Sequence, residues 1–205
     1  AAIGQINRAL VDTRQLTVPL VLPHDATDIF LSADYRGGYG WLFPKGAVAN
    51  VGIGVVMEQR QRLKPMLTEL IAKLSLLRRI GTSAFGATGG AIPVGGRLGA
   101  VGRLGAVPVL LAGDAAGLTN PVTGAGIASA VQSGTLAGRA AVDWLGGRAT
   151  ALGGYEEELG DIFDAALGRA RRRRREVLVR YQGGGRPDAR ALANGWIGSS
   201  NYWAA

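Results

Sequence analysis

Val107-Pro-Val-Leu-Leu-Ala-Gly-Asp114-Ala-Ala-Gly-Leu-Thr-Asn-Pro121-Val-Thr-Gly124-Ala-Gly-Ile127, running on through Ala-Ser-Ala-Val-Gln-Ser-Gly-Thr-Leu-Ala-Gly-Arg-Ala-Ala-Val-Asp-Trp144, is the stretch on which the reading of this chain turns. The apolar run 107–112 has the composition of a fully buried parallel strand. Gly113 and Asp114 end it, and Asn120-Pro121 marks a turn. Residues 127–145 have helical periodicity, with a stripe of small residues at Ala130, Gly134, Ala137, Gly138 and Ala141 that would let the helix lie close on a neighbour. A strand, a carboxylate at its C-terminal end, a glycine-bearing loop and a helix N-terminus thus follow one another. Open α/β sheets bind ligands at the carboxyl ends of their strands, and helix N-termini favour anions. Gly124 and Gly126 leave room for a ligand beside the backbone, and Asp114 can accept hydrogen bonds from ribose-like hydroxyls. An ordinary strand, loop and helix with glycines serving turns fits the pattern equally well.

Working outward, the 205 residues can hold one domain or pieces of two, with 47% hydrophobic residues and 33 glycines favouring a globular, loop-rich protein. There is no cysteine and one histidine, His24. Disulfides, thiolate metal sites and a cysteine nucleophile are excluded, and no metal site is expected. No apolar run reaches the ~18 residues of a membrane span, and no signal-peptide pattern is present. A cytoplasmic location is the expectation, with membrane association as the alternative. The net charge of +8 comes in large part from Arg169 and from the run Arg171, Arg172, Arg173, Arg174 and Arg175. Such a run on a helix is commonly a solvated end. Anionic lipid heads or an acidic subunit are its functional alternatives. Nucleic acid is disfavoured, because no basic patch is interleaved with aromatics.

Upstream, residues 15–22 read as a strand in which Pro19 suggests an edge or a bulge. Residues 28–32 read as a second strand. Residues 47–56 alternate, with Ala49, Val51, Ile53 and Val55 on one face and Asn50, Gly52 and Gly54 on the other, as in a hairpin with one face in a core. The glycine face implies close approach by a ligand or a neighbour. Residues 64–79 form an amphipathic helix through Leu67, Leu70, Ile71, Leu74 and Leu77, with Pro65 in its first turn and Gly81 at its end. Residues 82–106 are glycine-rich and read as a loop or hairpin. They hold the hexapeptide Gly-Arg-Leu-Gly-Ala-Val at 96–101, repeated at 102–107. Residues 155–181 read as a long helix with the stripe Leu159, Ile162, Phe163, Ala166, Leu167 and Ala170. Trp196, Tyr202 and Trp203 in the tail would mark a docking surface if exposed.

Gly113-Asp114-Ala115-Ala116-Gly117, Asn120-Pro121 and Gly124-Ala125-Gly126-Ile127 together resemble the second flavin-binding motif of FAD-dependent oxidoreductases, most closely that of the geranylgeranyl reductase family within the p-hydroxybenzoate hydroxylase-like class. Tyr39-Gly40-Trp41-Leu42-Phe43-Pro44-Lys45-Gly46, continued by Val51-Gly52-Ile53-Gly54, resembles that family's Tyr-x-Trp-x-Phe-Pro segment. Residues 90–96 resemble its return into the FAD domain. The resemblance implies a mixed α/β fold: the C-terminal part of a Rossmann-like FAD-binding domain, a β-sheet substrate domain, and C-terminal helices. The expected division is 1–90 for the substrate domain, 91–150 for the FAD-binding part and 151–205 for the helical segment.

By the same resemblance the cofactor is FAD, held by Gly113, Asp114, Ala115, Pro121, Gly124, Ala125, Gly126 and Ile127. Tyr39, Trp41, Phe43 and Pro44 would line a site for an apolar, isoprenoid substrate, with Tyr39 the one candidate proton donor. The implied reaction is reduction of an isoprenoid carbon–carbon double bond or a related flavin redox step. A structural subunit that kept the fold without the chemistry is the alternative. Nothing in the chain matches the Gly-x-Gly-x-x-Gly strand and helix that bind the ADP half of FAD in this class. The chain resembles the C-terminal half alone, and the other half is expected either from a partner subunit or from the rest of a longer polypeptide.

Overall fold

The computed structural model describes residues 3–204. The chain forms two compact units. One takes the segment up to Leu10 together with Pro93–Arg174, and the other takes Val11–Ile92 together with the chain from Arg175 onward. The secondary structure is mixed α/β.

The second unit is built on five strands: β1 (Leu10–Pro19), β2 (Asp28–Phe30), β3 (Gly40–Lys45), β4 (Val48–Val56) and β5 (Gly86–Pro93). They lie in the order β2-β3-β4-β1-β5. The pairs β2/β3, β3/β4 and β1/β4 are antiparallel. The alternation expected in β4 is present: Ala49, Val51, Ile53 and Val55 are fully buried and form one core with Val18, Leu42 and helix α1 (Leu63–Leu76). Leu67, Leu70 and Leu74 of α1 face that core, whereas Leu77 is exposed. The helix stops short of Gly81, because Arg78 takes a left-handed φ of 53° and the Arg79 amide turns back to the Leu74 carbonyl.

Three strand expectations change. β1 begins at Leu10 rather than residue 15. Pro19 is its last residue, where a missing N–H costs the ladder little, and β1 is an inner strand, not an edge. Residues 86–93, in the stretch read as a loop or hairpin, are the glycine-rich edge strand β5. The glycine face of β4 is approached by a protein neighbour: Trp41 pairs with Gly52, and a Cβ at Gly52 would overlap the indole ring.

The C-terminal segment of this unit carries two short helices. Tyr181 donates to the Ala33 carbonyl at 3.1 Å, and Arg186 pairs with Asp34 at 3.0 Å. The tail aromatics are not an exposed trio. Tyr202 is buried, Trp196 is half-buried and only Trp203 is largely exposed.

The first unit holds the hairpin β6 (Val101–Leu104) and β7 (Val107–Leu110), then α2 (Ile127–Leu145) and α3 (Ala151–Val179) as far as Arg174. The short helices α4 (Ala189–Asn194) and α5 (Ser200–Trp203) follow in the other unit. The expectation of a fully buried parallel strand at 107–112 is overturned. β7 pairs antiparallel with β6, with Leu104 opposite Val107 and Gly105 at a φ of 61° in the two-residue turn. Val107 is 63% exposed. An apolar run cannot distinguish a buried strand from a hairpin strand, and here the repeated hexapeptide supplies the turn.

Helix α2 has its expected bounds, but its buried residues are Ser133, Leu136 and Ala140. Of the small stripe, Ala130, Gly134 and Gly138 are exposed, and a Cβ at either glycine would meet nothing within 4 Å. Leu136 and Ala140 share a core with Ala116, Leu118, Tyr155, Leu159 and Leu167. Ile162 and Ala166, expected in the α3 stripe, are exposed.

Candidate functional site

After β7 the chain enters a short 3₁₀ turn, Gly113–Ala116, bounded by left-handed glycines at Gly113 and Gly117. The Gly113 amide donates to Ser133 Oγ at 2.9 Å, anchoring the turn on α2. Ser133 is itself buried, and its hydroxyl donates to the Ser129 carbonyl. Asp114 and Ala115 are left on the surface of the turn. The Asp114 carboxylate is oriented by one side chain: the buried Thr119 hydroxyl donates to Oδ1 at 2.7 Å.

The following loop is closed by its own hydrogen bonds. The Asn120 side-chain oxygen accepts from the Val122 and Thr123 amides, the Asn120 amide donates to the Ala125 carbonyl, and the Gly124 amide donates to the Asn120 carbonyl. Gly124 takes a φ of 68°, open to glycine and costly for most other residues. The loop delivers the chain to Gly126, the N-cap of α2, which provides no side-chain cap, and the first turn holds no acidic residue. A Cβ on Gly126 would lie 2.8 Å from Asp114 Oδ1. The helix N-terminus and the carboxylate are therefore neighbours, separated only by a residue without a side chain.

This arrangement fits a ligand with both hydroxyls and an anionic part. Asp114 offers an oriented, exposed acceptor, and the uncapped start of α2 offers backbone donors with the positive end of a helix dipole. The expected flavin residues Gly113, Asp114, Ala115, Pro121, Gly124, Ala125, Gly126 and Ile127 all fall on this one turn-loop-helix segment. Thr119 and Ser133, which fix it, were not singled out by the sequence. Their only signal there is a polar side chain on a segment that has to be buried.

The second set of expected residues lies in the other unit. Trp41 and Phe43 stack with centroids 5.9 Å apart, and Tyr39 meets Trp41 edge-on at 5.7 Å. The register puts Trp41 opposite Gly52 and Phe43 opposite Asn50, so these aromatics stand on the sheet face away from α1. Trp41 Nε1 donates to Gln15 Oε1 at 3.2 Å across the same face. Trp196 adds a fourth ring, edge-on to Tyr39 at 4.8 Å. Nothing in the periodicity of the tail assigned Trp196 to this cluster. Burial pushes the Tyr39 hydroxyl up to about 12, so it keeps its proton at neutral pH. Pro44 follows Phe43 within β3.

Residues 12–83, which include the aromatic hairpin, match the family model described as the geranylgeranyl reductase catalytic domain. Among curated proteins, the chain is 34% identical over 148 residues to a digeranylgeranylglycerophospholipid reductase of Thermoplasma volcanium, covering 68% of this chain and 36% of that protein. It is 37% identical over 112 residues to the Methanosarcina mazei protein of the same name, covering 52% and 26%. The solved structure of a geranylgeranyl bacteriochlorophyll reductase-like protein from Thermoplasma acidophilum superposes with a TM-score of 0.73 at 25% identity, covering 84% of this chain and 44% of that one. The chain thus spans well under half the length of each of these relatives. With the domain match falling on the aromatic hairpin and the fold shared across most of its length, this chain carries a stretch of the geranylgeranyl reductase catalytic domain and is similar to members of that family.

Proposed function

We propose that this chain forms the ribityl-binding and loop side of an FAD-dependent oxidoreductase that reduces a carbon–carbon double bond of an isoprenoid, or carries out a related flavin redox step on an apolar substrate. The observation that carries the proposal is Asp114, exposed, oriented by Thr119 and set beside the uncapped start of α2. Bound there and first reduced by an external two-electron donor, the flavin would supply the hydride. Asp114 would accept hydrogen bonds from the ribityl hydroxyls. Gly124, Ala125, Gly126 and Ile127 would present backbone N–H groups to the electron-rich edge of the cofactor, and Gly113, Ala115 and Pro121 would hold that surface in place. Tyr39, Trp41, Phe43 and Pro44 would bind an apolar chain and exclude water, and Tyr39, protonated at neutral pH, is the candidate proton donor.

Replacing Asp114 by Ala tests the reading. It removes charged hydrogen bonds, which are worth roughly 1.5–3 kcal/mol each. Flavin absorbance of the purified protein should therefore fall at least tenfold in D114A. A parent complex, purified with the polypeptide that completes the FAD site, that carries no flavin and releases none on denaturation would show instead that the fold has been kept without the chemistry.

We propose further that a partner polypeptide supplying the Gly-x-Gly-x-x-Gly segment covers the outer face of α2. The support is local: Ile127, Val131, Val142 and Leu145 are all strongly exposed, around the bare glycines 134 and 138. Monomers rarely leave so continuous an apolar strip in water.

A further inference from the structure

The arginine run on α3 does not behave as a uniformly solvated helix end. Arg171, Arg172 and Arg175 are exposed and Arg174 is half-buried, yet Arg171 and Arg174, three residues apart and so on one helix face, both reach back onto the backbone around the flavin motif. The stem of Arg171 lies on Gly96, where a Cβ would fall 2.5 Å from Cδ. Gly96 in turn offers its carbonyl against Gly117, and a Cβ at Gly117 would overlap that oxygen. Arg174 Nη1 donates to the Pro121 carbonyl at 3.3 Å. Pro121 is buried and is the second residue of the closed loop 120–125.

We propose that Arg174 is a positioning residue for the flavin-facing loop: it pins the loop through the Pro121 carbonyl and lends it a desolvated positive charge. The proposal rests on the flavin reading above for the second half and on geometry alone for the first. Desolvation pushes the Arg174 guanidinium down to about 10, which leaves it charged at neutral pH. A charge stripped of water interacts strongly with whatever lies beside it. A loop that holds an electron-rich ring gains most from this charge when the ring takes up electrons and becomes anionic. Arg174 therefore favours the reduced cofactor. The hydrogen bonds centred on Asn120 lie within the loop, whereas the Pro121 carbonyl bonds to α3, so the two are separable by mutation.

The test uses R174Q, R174K and the exposed-residue control R172Q, with two readouts. The first is amide hydrogen exchange at residues 120–126 in the flavin-free protein. The second is the flavin midpoint potential in the loaded protein, measured against a reference dye. R174Q should exchange at these amides roughly tenfold faster, the loss expected for one charge-assisted hydrogen bond, and should shift the potential to more negative values. R174K should restore the potential while protecting the loop only in part, because an ammonium lacks the planar fork. R172Q should match the parent in both. Exchange in R174Q within twofold of the parent would overturn the pinning role, and a potential unchanged in R174Q would overturn the charge role. If R174Q does not fold, R174K decides: faster loop exchange at an unchanged melting temperature supports the proposal, and parental exchange overturns it. If the parent takes up no flavin while R174Q still loosens the loop, the flavin reading fails and the pinning stands.

Discussion

Gly52 is fixed as glycine by its neighbours on both flanking strands, the indole of Trp41 on β3 and the Cβ of Gln15 on β1. Alternation in β4 made its face legible, and the bare face correctly implied a close approach. What approaches is a side chain of the protein, which only pairing register reveals. G52A should cost about 1–3 kcal/mol, as overpacking of a filled site does. Urea unfolding would read the loss, and a red-shifted tryptophan emission would show the ring displaced. Polar residues that orient others are much less legible. Thr119 reads in the sequence as loop, yet it is buried and aims the Asp114 carboxylate. The repeated hexapeptide is the sharpest case. Arg97 in the first copy bridges Glu156 and Asp164, whereas Arg103 in the second donates to the Ala106 carbonyl three residues away. Identical sequence takes two roles, because the partners come from elsewhere in the chain.

Among elements, α3 shows how a helix can be read correctly and its use missed. The 3.6-residue period gave its extent and most of its buried stripe, since Leu159, Leu167 and Ala170 do face the core. The period is silent about polar contacts. Glu156 Oε2 accepts from the Ala100 and Val101 amides at 2.6 and 3.2 Å, tying α3 to the start of β6. Tyr155 donates to the Leu111 carbonyl at 2.7 Å, just beyond β7. Both ends of the hairpin are thus held by adjacent residues of one helix turn. E156A would strand two amides and leave the Arg97 guanidinium to Asp164 alone, at a cost of about 1–3 kcal/mol. The melting temperature should drop, with the exchange of the Ala100 and Val101 amides accelerating before that of α2. Uniform acceleration across the unit would show that the tie is not local. β7 is where element reading failed, because burial on both faces was inferred from composition and the neighbours that would provide it are not part of the described residues.

At the scale of the molecule, the hydrophobic core of each unit was largely legible, while the outer face of α2 was legible only as a stripe of small residues. Its large members, Val131 at 67% and Leu145 at 77% exposure, decide its character. The chain expressed alone should self-associate with concentration and bind a hydrophobic dye. Val131→Asp combined with Leu145→Asp should lower dye fluorescence severalfold and hold the protein monomeric at about the parental melting temperature, since neither side chain packs in the core. A parent that stays monomeric and dark to the dye would show that this face needs no cover.

The repeated hexapeptide also bears on how such a gene can change. Loss of residues 96–101 and loss of residues 102–107 yield the same polypeptide, so a slipped replication event here has a single product whichever copy is dropped. That product has one arginine and one Leu-Gly-Ala segment where the molecule has two of each. It can keep the ion pairs to α3 or the tight turn into β7, but not both. Lineages should therefore hold the copy number steady even where the surrounding sequence drifts.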